Sequence, residues 1–226
     1  DLRDASVNKD IAGRFYQMEA IQRIGESFVV NTNTGIRGNK REALLVMATG
    51  SGKTRTSAAL VEVLMKSNWV KRVLFLADRN ALVRQAKNNF SEYLPELSSV
   101  DLTQEKENDS TRLVFSTYPS MMNKIDNAKN EHGRFYGVGH FDLIIVDEAH
   151  RSVYNRYKAI FDYFDALIVG LTATPKDSID HNTFELFGCG DDDPTFAFEL
   201  DDATPKFLVP FKNVDVSTKF LREGIK

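Results

Sequence analysis

Five apolar runs of strand length, each ending on a polar, glycine-rich or acidic tip, constrain this chain more than any other feature. They are "EALLVM" (42–47), "RVLFLA" (72–77), "TRLVFST" (111–117), "FDLIIVD" (141–147) and "ALIVGLT" (166–172). Uninterrupted apolar runs belong to strands buried on both faces. Between them lie stretches of helical spacing. In "TSAALVEVLMKSN" (56–68), Ala59, Leu60, Val63 and Leu64 share a face. "ALVRQAKNNFSEYL" (81–94) is closed by Pro95, and "YPSMMNKI" (118–125) and "YKAIFDYF" (157–164) complete the set. Strand–helix alternation of this kind implies right-handed crossovers. The fold class is therefore α/β, a doubly wound, mostly parallel sheet with helices on both faces. The stretch 126–140 reads as a loop or small insertion, and the alternation lapses after Pro175. "KNVDVSTKF" (212–220) then alternates like a further strand.

Composition narrows the class. A chain of 226 residues suits one large α/β domain, or one domain with an appendage. No apolar run reaches membrane-span length, so no membrane is expected as a partner. The polar start "DLRDASVNKD" shows no signal peptide and no initiator Met, which is expected of a piece of something longer. The lone Cys189 excludes an internal disulfide and fits a reducing, cytoplasmic location. A net charge of −3 gives no global attraction for nucleic acid, so any basic binding face has to be local.

The tip of the first run is "ATGSGKT" (48–54). Ligands of open parallel sheets sit beyond the carboxyl ends of the strands. Thr49, Gly50, Ser51 and Gly52 can bring backbone N–H groups together on an anion, because glycine has no Cβ to block the approach. A helix starting near Lys53 adds its partial positive charge. Lys53 brings a full charge to β and γ phosphates, and Thr54 offers a hydroxyl to Mg²⁺. The written form of the phosphate-loop motif asks for glycine at 47, where this chain has Met47. That position lies at the strand end, and the amides that wrap phosphates belong to residues 50–54.

"LIIVDEAH" puts Asp147 at the tip of the fourth run. An acid there can hold Mg²⁺ opposite Thr54, and Glu148 can orient and polarise an attacking water. Lys53, Asp147 and Glu148 form the expected catalytic set. His150 is expected to sense the γ phosphate or to bond a neighbouring strand end. Thr172 and Thr174 of "GLTATP" (170–175) are its expected partners, coupling the nucleotide to another surface.

Taken in order, these blocks resemble the first RecA-like, P-loop NTPase domain of superfamily-two helicases and translocases. "RFYQMEAI" (14–21) resembles the adenine-reading glutamine motif, "ATGSGKT" motif I, "DEAH" (147–150) motif II and "TATP" (172–175) motif III. "FLADRNALVRQA" (75–86) and "STYPSM" (116–121) resemble the intervening DNA-tracking motifs. Together with "HFDLIIVDEAHRSVYNRY" and the later "FAFEL…FLVPF", they look like the motor (R) subunit of type I restriction enzymes. The resemblance implies that Gln17 bonds the adenine edge with Arg14 or Phe15 supporting it. It also implies that Arg79, Asn80, Gln85, Ser116 and Thr117 face a DNA backbone.

The function expected on this basis is an ATP- and Mg²⁺-dependent double-stranded DNA translocase module. Its implied partners are methyltransferase and specificity subunits, and a second RecA-like domain and a nuclease domain of the same full-length chain. The cell would be bacterial or archaeal. The expected organisation is a linker over 1–13, the ATP-binding domain over 14–205, and a strand or linker over 206–226 leading toward the second motor domain. A DEAH-type RNA helicase, a type III restriction or related DNA-repair helicase domain, and a nucleotide-gated interaction module are the alternatives.

Overall fold

The computed structural model describes residues 2, 5–126, 129–130, 133–134, 136–149, 151–174, 176–199 and 202, with backbone alone for 126, 129–130, 133–134 and 151–156. The chain order is α1 (Phe15–Phe28), β1 (Val29–Thr32), β2 (Gly35–Gly38), β3 (Glu42–Met47), α2 (Lys53–Lys66), β4 (Val73–Ala77) and α3 (Asn80–Tyr93). It continues through β5 (Ser99–Asp101), β6 (Leu113–Thr117), α4 (Tyr118–Asp126), β7 (Lys129–Asn130), β8 (Gly133–Arg134), β9 (Leu143–Asp147), α5 (Arg151–Tyr163), β10 (Leu167–Thr172), α6 (His181–Leu186) and β11 (Phe196–Phe198).

The five apolar runs are β3, β4, β6, β9 and β10. They join β5 and β11 in a seven-stranded sheet of order β11-β3-β10-β9-β4-β6-β5. Every pairing in that sheet is parallel. Because side chains alternate along a strand, each strand feeds two cores. Ala43, Leu45, Phe75, Phe115, Ile145 and Leu171 meet α1, α2 and α3 on one face. Leu44, Val46, Leu74, Val114, Ile144 and Ile168 meet α4, α5 and α6 on the other. This double burial is why the runs carry no polar alternation.

The remaining elements are short or weakly apolar. β1 and β2 form an exposed antiparallel hairpin outside the main sheet. α5 begins at Arg151, six residues before the apolar spacing at Tyr157 announces it. The stretch 1–13, expected as a linker, places Leu2, Ile11 and Ala12 in the core beside α1. Residue 170 is glycine because Phe187 packs onto β10 there. A Cβ at Gly170 would lie 2.5 Å from the Phe187 ring. The expected strand at 212–220 lies outside the described residues.

Candidate nucleotide site at the carboxyl ends of the strands

The site starts at the end of β3. Met47, where the written motif asks for glycine, is a fully buried strand residue paired with Phe198 of β11. Its side chain belongs to the core, so glycine is not needed there. The chain then turns. Ala48 N–H bonds Phe198 O at 2.9 Å and Ser51 N–H bonds Ala48 O at 3.1 Å. Gly50 (φ 81°) and Gly52 (φ 94°) take the left-handed conformation that residues with a Cβ resist. A Cβ at Gly52 would also meet Gln17 Nε2 at 2.6 Å.

Gly52 is the N-cap of α2. Among the described residues, the N–H groups of Thr49, Gly50, Gly52, Lys53 and Thr54 find no backbone acceptor. Unpaired amides at a helix N-terminus favour an anion. The Ser51 hydroxyl is buried with no partner among the described residues. Lys53 forms no ion pair among the described residues, and its Nζ makes only a long 3.4 Å contact to Met47 O.

A second set of bonds braces the loop from behind. Ser51 O accepts from the Tyr16 hydroxyl at 2.8 Å and from Gln17 Nε2 at 3.1 Å. Gln17 Oε1 accepts from the Arg14 N–H at 3.3 Å, so its carboxamide joins the start of α1 to the loop. The Arg14 guanidinium donates to Tyr16 Oη at 2.8 Å. Tyr16 stacks on Phe198, with centroids 3.9 Å apart and planes 10° from parallel. Phe15 stands edge-on to both rings beside the loop and is 56% exposed.

The acid turn follows β9. β10 separates β3 from β9, so the phosphate loop and the acid turn flank the end of β10. Burial, and then the neighbouring Glu148 charge, push the Asp147 carboxyl up from 3.8 to about 6. The Lys53 ammonium and a backbone hydrogen bond from Glu148 pull it the other way. Glu148 has φ +54°, a left-handed conformation rare for a residue with a Cβ. Two bonds pin it: Tyr118 Oη donates to Asp147 O at 2.9 Å, and Ala149 N–H donates to Leu171 O at 2.9 Å. Burial, followed by the charges of Asp147, Asp78 and Glu148, pushes the Tyr118 hydroxyl well above its ordinary value, so it stays protonated as a donor.

The other expected residues fall as follows. Arg79, Asn80 and Gln85 are exposed at the start of α3. Ser116 and Thr117 are buried. Ser116 Oγ donates to Thr117 O, and Thr117 Oγ1 bonds Ser120 Oγ at 2.9 Å. Thr172 is buried and accepts from Thr174 N–H at 3.1 Å. His150 lies outside the described residues. Tyr16, Tyr118 and Phe198 are the site residues that sequence reasoning passed over. The two tyrosines stand inside quoted motifs, and a buried Tyr hydroxyl needs a partner, which was the available signal.

The family description "Type III restriction enzyme, res subunit" (ResIII) matches residues 10–177, most of the chain. The chain belongs to the ResIII family. This ResIII domain is 35% identical over 214 residues to the type I restriction enzyme EcoAI endonuclease subunit of Escherichia coli, covering 90% of the chain and 24% of that protein. It therefore spans about a quarter of that relative's length. A solved fragment assigned to the HsdR subunit of a type I restriction enzyme from Vibrio vulnificus YJ016 superposes with a TM-score of 0.61 at 25% identity, covering 90% of this chain and 33% of that one. The Pyrococcus furiosus Hef helicase domain superposes with a TM-score of 0.58 at 23% identity, over 81% of this chain and 38% of that one, a likeness of fold. The ResIII domain thus has the RecA-like helicase fold and a P-loop ATP-binding motif. No helix among its described residues is long and apolar enough to cross a membrane.

Proposed function

We propose that this ResIII domain is the ATP-binding half of a motor that translocates double-stranded DNA for a type I restriction endonuclease in a bacterial or archaeal cytoplasm. One arrangement carries the reading: the loop after β3, with its unpaired amides, Lys53 and a Ser51 hydroxyl orphaned among the described residues, and the acid turn at Asp147 flank the end of β10. The donor set suits a nucleoside triphosphate with its magnesium ion. Magnesium, when bound, supplies neutralising charge at the β and γ phosphates.

The chain's own residues do the rest. The amides of residues 50–54 and the Lys53 ammonium hold phosphate oxygens. Thr54 and Asp147 hold the metal, and Glu148 orients the water. Gln17 acts on the loop through Ser51 O and on the adenine edge through the bonding capacity its amide retains. Phe15 offers a ring to the base. Arg79, Asn80 and Gln85 meet DNA phosphates at the surface, while Ser116 and Thr117 shape the turn beneath them. Thr172 and Thr174, with His150, couple the nucleotide to the facing motor domain. That second RecA-like domain, a nuclease domain and the methyltransferase and specificity subunits complete the proposed assembly.

The test is Lys53→Ala in the full-length chain. Duplex-DNA-stimulated ATP turnover should fall below detection, because a charge-assisted bond to phosphate is lost at the reacting group. Turnover at the wild-type rate would remove the phosphate assignment. Stimulation by single-stranded RNA alone would replace DNA translocation with RNA unwinding. No turnover with any nucleic acid, alongside intact ATP binding, would make the domain a nucleotide-gated interaction module.

A further inference from the structure

Tyr118 belongs to none of the motif roles assigned above, yet it touches two parts of the site. It follows Thr117 directly, at the turn where β6 ends and α4 begins. That turn lies beneath the exposed residues we assign to DNA phosphates. The side chain is fully buried, and its hydroxyl reaches past the end of β4, which separates β6 from β9, to donate to Asp147 O at 2.9 Å. Its ring stacks on Tyr157 of α5, with centroids 5.1 Å apart and planes 16° from parallel. α5 is the helix that leaves the acid turn. One side chain of α4 thus grips the acid turn at its carbonyl and the helix behind it at a ring face.

What it grips is strained. Glu148 sits at φ +54°, and a residue with a Cβ held there persists only when its surroundings fix it. The two peptide groups bracketing Glu148 are both tied. The carbonyl before it takes the Tyr118 hydroxyl, and the N–H after it goes to Leu171 O. The second bond is backbone to backbone and common to any sequence. The first depends on one hydroxyl.

We infer that Tyr118 is a positioning residue: it holds Glu148 in its left-handed conformation and ties the aim of that carboxylate to the turn at 116–120. The consequence for turnover rests on the function proposed above. A strand of DNA seated on Arg79, Asn80 and Gln85, above the 116–120 turn, shifts the first residue of α4, and the hydroxyl carries that shift to the acid turn. Nucleotide binding, made by the loop after β3, does not pass through this bond.

The experiment is Tyr118→Phe in the full-length chain, which keeps the ring, its burial and its stack on Tyr157 and removes only the hydroxyl. Tyr163→Phe is the control, since it removes a hydroxyl bonded to a backbone carbonyl at the other end of the sheet. Two readouts are taken. Amide hydrogen exchange at residues 147–149 should quicken roughly tenfold in Tyr118→Phe and stay at the wild-type rate in Tyr163→Phe, since only the first variant loses the hydrogen bond that fixes the turn. Steady-state ATP hydrolysis should show kcat lowered roughly tenfold, KM within about twofold of wild type, and stimulation by duplex DNA largely lost. Unchanged exchange and an unchanged kcat overturn the inference. A raised KM with unchanged kcat also overturns it, because the tyrosine would then serve binding. If the wild-type chain hydrolyses no ATP, the proposed function fails, while the exchange measurement still decides whether Tyr118 holds the turn.

Discussion

The two ends of the sheet are built on opposite principles. At the amino end of the strands, polar groups are closed on one another. Asp142 accepts from the N–H groups of Lys71 and Arg72 at 2.8 and 2.9 Å. The Arg72 guanidinium donates to Thr111 O and Asp109 O. The nearly buried Glu107 takes the Tyr136 hydroxyl at 2.8 Å and pairs with His140 Nε2 at 2.9 Å. At the carboxyl end, among the described residues, Ser51 Oγ has no partner and Lys53 pairs with no carboxylate, and Gly50, Gly52 and Glu148 are left-handed. Asp147 is held in a place that penalises its charge. Buried polar groups in native proteins are nearly always paired, and strain gathers where a ligand is to be met. The closed end contributes stability, and the open end gives some of it up for a site.

That contrast can be broken most sharply at Glu148. Replacing it with Gln keeps the shape and removes the base, so ATP turnover should fall by about 10²–10⁴, with nucleotide affinity in an equilibrium titration unchanged within about threefold. A variant with wild-type turnover would mean the open end is not arranged around this carboxylate.

Asp147 tests the stability side. Folded, it holds its proton up to about 6, against 3.8 ordinarily, so its contribution favours the fold at acidic pH and is lost as pH rises through about 6. Above that, the charged form costs up to about 3 kcal/mol, at about 1.4 kcal/mol per unit, less whatever water reaches it. Asp147→Asn should therefore raise the nucleotide-free Tm by several degrees at about pH 7.5 and by almost nothing near pH 3.5, in thermal scans across that range. Magnesium and ATP together should stabilise the wild type more than the variant. A lowered Tm for Asp147→Asn at neutral pH would place the carboxylate at the closed end in kind, if not in position.

The smallest effect belongs to the closed end itself. Glu107→Gln should cost about 1–2 kcal/mol of stability by chemical denaturation, because charge-assisted bonds to Tyr136 and His140 weaken. ATP turnover measured below the unfolding range should stay within about twofold of wild type. A tenfold loss of turnover would dissolve the division between the two ends.

The sheet was legible because double burial removes polar residues from a strand. "FDLIIVD" and "ALIVGLT" announce β9 and β10 without help from their neighbours. The hairpin of β1 and β2, the three-residue β5 and β11, and α6 carry no such signature. They are short, or one face is wet, and tertiary contacts define them. The start of α5 is not announced because "RSVYNR" is largely polar and carries no apolar spacing. In the site, the phosphate loop and the acid turn were readable as residue types at strand tips. The bracing behind them was not. Tyr16 meets Ser51 across 35 residues and Tyr118 meets Asp147 across 29, and both pairings depend on strand order, which no local pattern encodes. Nor does the sequence announce that Glu148 is left-handed, since the carbonyl and the amide around it are fixed by Tyr118 of α4 and Leu171 of β10.

Gly170 makes one last demand. The space its missing methyl vacates is filled by a ring from the α6 end, so the two positions form a single volume split between two addresses. Relatives that enlarge residue 170 should be found to have shrunk residue 187 in compensation, and a lone methyl introduced at 170 should push α6 away from the sheet beneath it.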